Sequence, residues 1–129
     1  MVLVGSGLYR NASDTEARSG AAGGAFGFAP TRRVTIWTEG DAHIQGSATG
    51  TSFVFVNETS WEAVRGVWLK FSPQGRTSTD SVPGLFRWDA GLNLLPRTHW
   101  QVNLDFYRDK TEGATDPLYT FLAQLHMYL

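Results

Sequence analysis

The sequence predicts an all-β chain, an antiparallel up-and-down transmembrane β-barrel of about eight strands, or eight strands of a larger barrel. Three observations carry this. Apolar and polar residues alternate over long stretches, the period of a strand with one apolar and one wetter face. Several of these stretches reach ten residues or more, where a globular strand runs to about five or six and a tilted membrane strand needs roughly 9–11. Polar loops then take turns with tight turns along the chain, the asymmetry of outer-membrane barrels.

The ending Pro117–Leu129 shows the pattern most clearly. Tyr119, Phe121, Ala123, Leu125, Met127 and Leu129 take one face, and Thr120, Leu122, Gln124, His126 and Tyr128 the other. From the start, Val2–Arg10 reads as a short strand of undecided facing and Asn11–Gly20 as a polar loop. Ala21–Ala29 is Gly-rich, with Gly24, Phe26 and Phe28 on one face, and Pro30-Thr31-Arg32 makes a tight turn. Arg33–Gln45 sets Val34, Ile36, Thr38, Gly40, Ala42 and Ile44 against Thr35, Trp37, Glu39, Asp41, His43 and Gln45. Three ionisable groups on one strand face are costly in a small apolar core, and ordinary if that face lines water.

After the loop Gly46–Thr51, Ser52–Ala63 opposes Phe53, Phe55, Thr59 and Trp61 to Glu58, Ser60 and Glu62, with Asn57 a blemish on the apolar side. A turn is placed at Ala63-Val64-Arg65-Gly66, because Gly66 can supply a positive φ. Val67–Ser72 follows, then a polar loop Pro73–Gly84. Leu85–Leu95 sets Phe86, Trp88, Ala90, Leu92 and Leu94 against Arg87, Asp89, Gly91 and Asn93. Pro96-Arg97-Thr98 is a second proline turn. His99–Arg108 opposes Trp100, Val102, Leu104 and Phe106 to Gln101, Asn103, Asp105 and Tyr107, before the polar loop Asp109–Asp116.

Composition narrows the class. With 129 residues the chain is one domain or a segment of one, and 11 Lys+Arg against 12 Asp+Glu leave no basic footprint for nucleic acid. There is no Cys, which removes disulfides, thiolate metal sites and covalent haem attachment. No apolar run is long enough for a membrane helix. Met1-Val2-Leu3-Val4 lacks the features of a secretory signal, so an exported chain would be mature or a fragment of something longer.

Period two does not tell a soluble β-sandwich or lipocalin-like ligand binder from a membrane barrel, in which apolar faces meet lipid. Aromatics near strand ends (Tyr9, Trp61, Trp88, Trp100, Tyr107, Tyr119) favour the membrane reading as interfacial girdles. On that reading Glu39, Asp41, His43, Glu58, Glu62, Lys70, Arg87, Asp89, Asn103, Asp105, Gln124 and His126 line the lumen, where mixed charges select ions. Phe53, Phe55, Trp88, Trp100, Phe106, Phe121, Leu125 and Met127 face lipid.

The histidines His43, His99 and His126 sit on separate strands with no metal-binding spacing. Paired carboxylates could serve a glycosidase, but the separations that mechanism needs are not in the sequence. Neither a phosphate loop nor a nucleophile elbow is present, since Gly5-Ser6-Gly7 lacks the required frame. No catalytic residue, metal or cofactor is expected, and the chain is not expected to be an enzyme.

Outer-membrane β-barrels typically end in an aromatic residue preceded by alternating apolar ones. This chain resembles that signature at Tyr119, Phe121, Leu125 and Met127, with Leu129 in place of the final aromatic. Glu58–Val67, Leu94–Trp100 and Gln124–Leu129 are similar to stretches of porin-like barrels from bacterial multihaem cytochrome gene clusters, over roughly residues 50–129. The resemblance implies a bacterial outer-membrane location, lipid as the surroundings, and a porin-like channel or a sheath for an electron-transfer partner. A multihaem cytochrome or further barrel strands are the partners it implies.

Overall fold

The computed structural model describes residues 1–11, 18–45, 50–79, 82–97 and 99–128. Eight strands follow one another: β1 (Val2–Asn11), β2 (Arg18–Thr31), β3 (Val34–Gln45), β4 (Thr51–Val64), β5 (Val67–Arg76), β6 (Leu85–Arg97), β7 (Trp100–Thr111) and β8 (Leu118–Met127). Each pairs antiparallel with its sequence neighbour in a single sheet, so the topology is strictly up-and-down. The sheet is open, with β1 and β8 as its edges. The expected all-β, eight-strand architecture is therefore the observed one.

Strand ends depart from expectation where proline was read as a breaker. β5 runs through Pro73 to Arg76, so the loop is 77–84, not Pro73–Gly84, and a Thr79–Val82 bridge closes it. Pro73 is tolerated because the β4–β5 register passes from Val56–Gln74 to Thr59–Phe71 with no pair at Pro73, so its missing N–H interrupts little. Pro30 and Pro96 lie inside β2 and β6, where the register shifts between Phe28 and Thr31 and between Leu94 and Arg97. Bulges absorb a residue without a donor. β7 begins at Trp100, not His99, and continues to Thr111, which turns Asp109, Lys110 and Thr111 from loop into strand. Most of the expected loop Asn11–Gly20 lies outside the described residues.

The tight turns gather at one end of the sheet. Arg65-Gly66 joins β4 to β5, and Gly66 has φ 79°, as anticipated for that turn. Neighbouring chain is stitched to these turns: Leu95 N donates to Gly66 O at 2.7 Å, Glu62 N to Arg33 O at 2.7 Å and Tyr128 N to His99 O at 2.9 Å. Gly66→Val is expected to lose about 1–2 kcal/mol, because an L side chain resists the left-handed region. Its Cβ would also lie 3.0 Å from Leu95 O. A lower urea midpoint than wild type, at unchanged slope, checks this.

Register fixes which residues share a face. Paired residues project to the same side, and the pairs place Phe53, Phe55, Trp61, Leu69, Phe71, Phe86, Trp88, Phe106, Phe121, Leu125 and Met127 together on an apolar face. The blemish Asn57 stands opposite Thr38 on that face and donates to Thr38 Oγ1 at 2.7 Å and Trp37 O at 3.2 Å, which satisfies its amide.

The burial pattern is inverted relative to a water-soluble core. The most enclosed side chains are small or polar: Ser72 at 1 % exposure, Asp89 at 3 %, Asp105 at 7 %. Large apolar residues are open, with Phe71 at 51 % and Phe121 at 67 %. Across β5 to β7 the enclosed residues lie on the polar face and the open ones on the apolar face, while on β8 both faces are open. Its accessible surface, 9293 Å², exceeds the roughly 6,800 Å² expected of a globular monomer of this mass. No second sheet packs on either face among the described residues.

Candidate functional site: the charged polar face

The polar face collects every sequence-predicted lumen residue. Glu39, Asp41 and His43 of β3 share it with Glu58 and Glu62 of β4, Lys70 of β5, Arg87 and Asp89 of β6, Asn103 and Asp105 of β7, and Gln124 and His126 of β8. All the residues expected to face lipid, Trp100 included, lie on the other side.

Charge concentrates where β5, β6 and β7 run side by side. Lys70, Gly91 and Asp105 occupy one row of the ladder, with the lysine and the carboxylate two strands apart. The glycine between them has no side chain to block the way, so Lys70 Nζ crosses β6 to reach Asp105 Oδ1 at 2.8 Å. It also meets Asp89 Oδ2 at 3.0 Å. A Cβ on Gly91 would lie 2.5 Å from Asp105 Oδ1 and 2.7 Å from Lys70 Cε. One ammonium thus bridges two carboxylates, the geometry in which ionised partners bond most strongly.

Two rows further along this face towards the long loops, Arg87 Nε and Nη2 each donate to Asp109 at 2.6 Å, a bidentate fork. The guanidinium carbon also lies 5.2 Å from the centroid of the Tyr107 ring, within cation–π range. Tyr107 lies on the polar face that its parity gave it, beside Arg87.

The remaining predicted residues do not join this cluster. Glu62 Oε1 accepts from Gly66 N at 3.2 Å, so it braces the tight turn. Glu58 Oε1 accepts from Ser60 Oγ at 3.3 Å. Asn103 Oδ1 accepts from Gln101 Nε2 at 3.0 Å, and Gln101 Oε1 in turn accepts from Tyr128 Oη at 2.7 Å, beside His126. Glu39, Asp41 and His43 stand apart on β3. Among the described residues no group of three His, Asp or Glu side chains could hold a metal ion.

Asp109, Gly91 and Ser72 were missed from the sequence. Extending the β7 alternation two residues past Tyr107 would have found Asp109. Nothing in the sequence alone could have marked Gly91 as the gap that Lys70 crosses.

On the apolar face, rings form a chain from strand to strand. Phe71 to Trp88, Trp88 to Phe106 and Phe106 to Tyr119 have centroids 6.5, 5.8 and 5.9 Å apart, inside the aromatic-pair range. Trp61 and Trp100 mark the tight-turn end of the same face.

Taken together, fold and face chemistry define a single-layer up-and-down β-sheet with charge enclosed and aromatics displayed. No family model matches the chain, and no curated protein matches it.

Proposed function

We propose that the chain forms the wall of a β-barrel in a bacterial outer membrane, with its polar face lining an aqueous lumen and its aromatic face against lipid. The barrel acts as a porin-like conduit for small polar or charged solutes. The observation that carries this reading is the inversion, with Asp89 and Asp105 enclosed while Phe71 and Phe121 lie open. In water such a surface invites association; in a bilayer it is the surface the solvent requires.

Other features support it. Strands of 10 to 14 residues reach or exceed the roughly 9–11 that a tilted strand needs to cross. Short turns at one end and longer loops at the other match the two sides of such barrels. Asp89 Oδ1 and Asn93 Oδ1, both enclosed, receive no hydrogen bond from the protein, a need that lumen water meets. Since a membrane tolerates no bare strand edge, β1 and β8 close on each other or on further strands.

Two measurements test the proposal. Membrane fractionation should leave the protein in the outer-membrane pellet until detergent is added; a monomer free in buffer would overturn the membrane assignment. Reconstituted into planar bilayers, it should give discrete conductance steps. A folded, inserted barrel that stays silent would instead point to a sheath around a partner.

A further inference from the structure

Away from the bulge at the turn end of β6, where Arg97 pairs with Trp100, the apolar face of β3 to β8 carries charge at only two described residues, Arg108 and Lys110. Both are cationic, both are on β7, and both lie at its long-loop end. Sequence alternation had stopped at Arg108 and put Lys110 in a loop.

Lys110 lines a shallow, largely open cleft of about 490 Å³. It is built on one ladder row that runs Phe55, Gly75, Phe86, Lys110 across four strands. Gly75 lets the Phe55 ring lie across β5, in space that a Cβ would occupy. Phe53 extends the apolar floor, while Arg76, paired with Val54 and Leu85, belongs to the opposite, polar face.

The rim charges are only partly satisfied by the protein. Lys110 Nζ donates to Ala114 O at 2.7 Å and Thr115 O at 3.1 Å, which leaves its third N–H free. The one acid at the rim, Glu112, is held by the loop, its Oε2 accepting from Gly84 N at 3.2 Å. An aromatic floor ending in cations fits a ligand with an apolar tail and an anionic head.

We infer that this cleft binds a membrane lipid with an anionic phosphate headgroup, the phosphate at Lys110 and Arg108 and one acyl chain along the Phe53, Phe55 and Phe86 rings. The inference rests on the membrane-barrel reading, which sets this end of the apolar face at headgroup depth. Basic pockets at that depth recognise headgroups by charge, and the Phe53, Phe55 and Phe86 rings give the chain an apolar bed.

Detergent-solubilised protein, titrated with phosphatidylglycerol or phosphatidylcholine and followed by native mass spectrometry, tests it. Wild type should retain phosphatidylglycerol at least fivefold better than phosphatidylcholine. Arg108→Gln/Lys110→Gln should erase that preference, and Gly75→Leu should weaken both lipids while leaving the cations in place. If Gly75→Leu does not fold, Phe86→Ser serves the same purpose. A preference that survives in the double variant, or one abolished by equimolar inorganic phosphate, overturns the lipid site. Far-UV circular dichroism and heat-modifiable gel mobility separate the two levels: a folded barrel without lipid preference sinks only the site. A chain that neither inserts nor takes up detergent sinks the barrel reading and the site with it.

Discussion

Phe71→Arg is expected to destabilise the membrane-inserted protein by about 2–4 kcal/mol, a roughly 30- to 700-fold loss in the folding equilibrium. Phe71 lies midway along β5 on the apolar face, opposite Thr59 and Ala90, with half its surface open. If lipid covers that face, the guanidinium must sit near mid-bilayer or drag water in. If water covers it, the same change at a half-open position costs within about 0.5 kcal/mol. Urea titration of vesicle-inserted protein, followed by tryptophan fluorescence, reads the difference. Thr120→Arg on the polar face of β8 is the matched control and should leave the midpoint nearly unchanged. Equal midpoints for both variants would remove lipid from the apolar face.

The contrast depends on an assignment of faces that was legible in the sequence. Where Val34–Gln45 alternates without a break, every residue falls on the face its parity gave it. The reason is physical: a period of exactly two leaves no freedom once one residue of a strand is placed, and a slip would turn the whole set over. Strand ends were less legible because proline has two meanings. At Pro30 and Pro96 it marks a bulge inside a strand, and at Pro73 it falls where the ladder to β4 has no pair, so none of the three ends its strand.

The polar cluster was legible as a face but not as an arrangement. Which carboxylate meets which cation depends on register across three strands, and register is set jointly by turns and bulges. Lys70 could have been matched with Glu58 or Glu62 from parity alone. Only the pairing of Lys70 with Gly91, and of Gly91 with Asp105, makes a path for its ammonium over β6.

That path leads to the second large effect. Lys70→Met should cost about 3 kcal/mol, because it leaves Asp89 and Asp105 enclosed beside each other with no cation between them. Removing one partner of a buried pair typically costs about 3–5 kcal/mol. The lower end applies here because the Lys70 side chain keeps 27 % of its surface open. The loss should come from the stranded carboxylates and not from the missing methylene packing, which methionine largely keeps. Lys70→Met/Asp89→Asn/Asp105→Asn should therefore regain most of the stability, since neutral amides at those positions carry no uncompensated charge. Gly91→Val should reproduce the loss with all three charges present, by closing the gap through which Lys70 reaches Asp105. If Lys70→Met shifts the urea midpoint by no more than a surface ion pair would, below about 1 kcal/mol, then the polar face is open enough at this row for water to replace the lysine. The same mutant series thus measures how tightly the enclosed side of the sheet is filled.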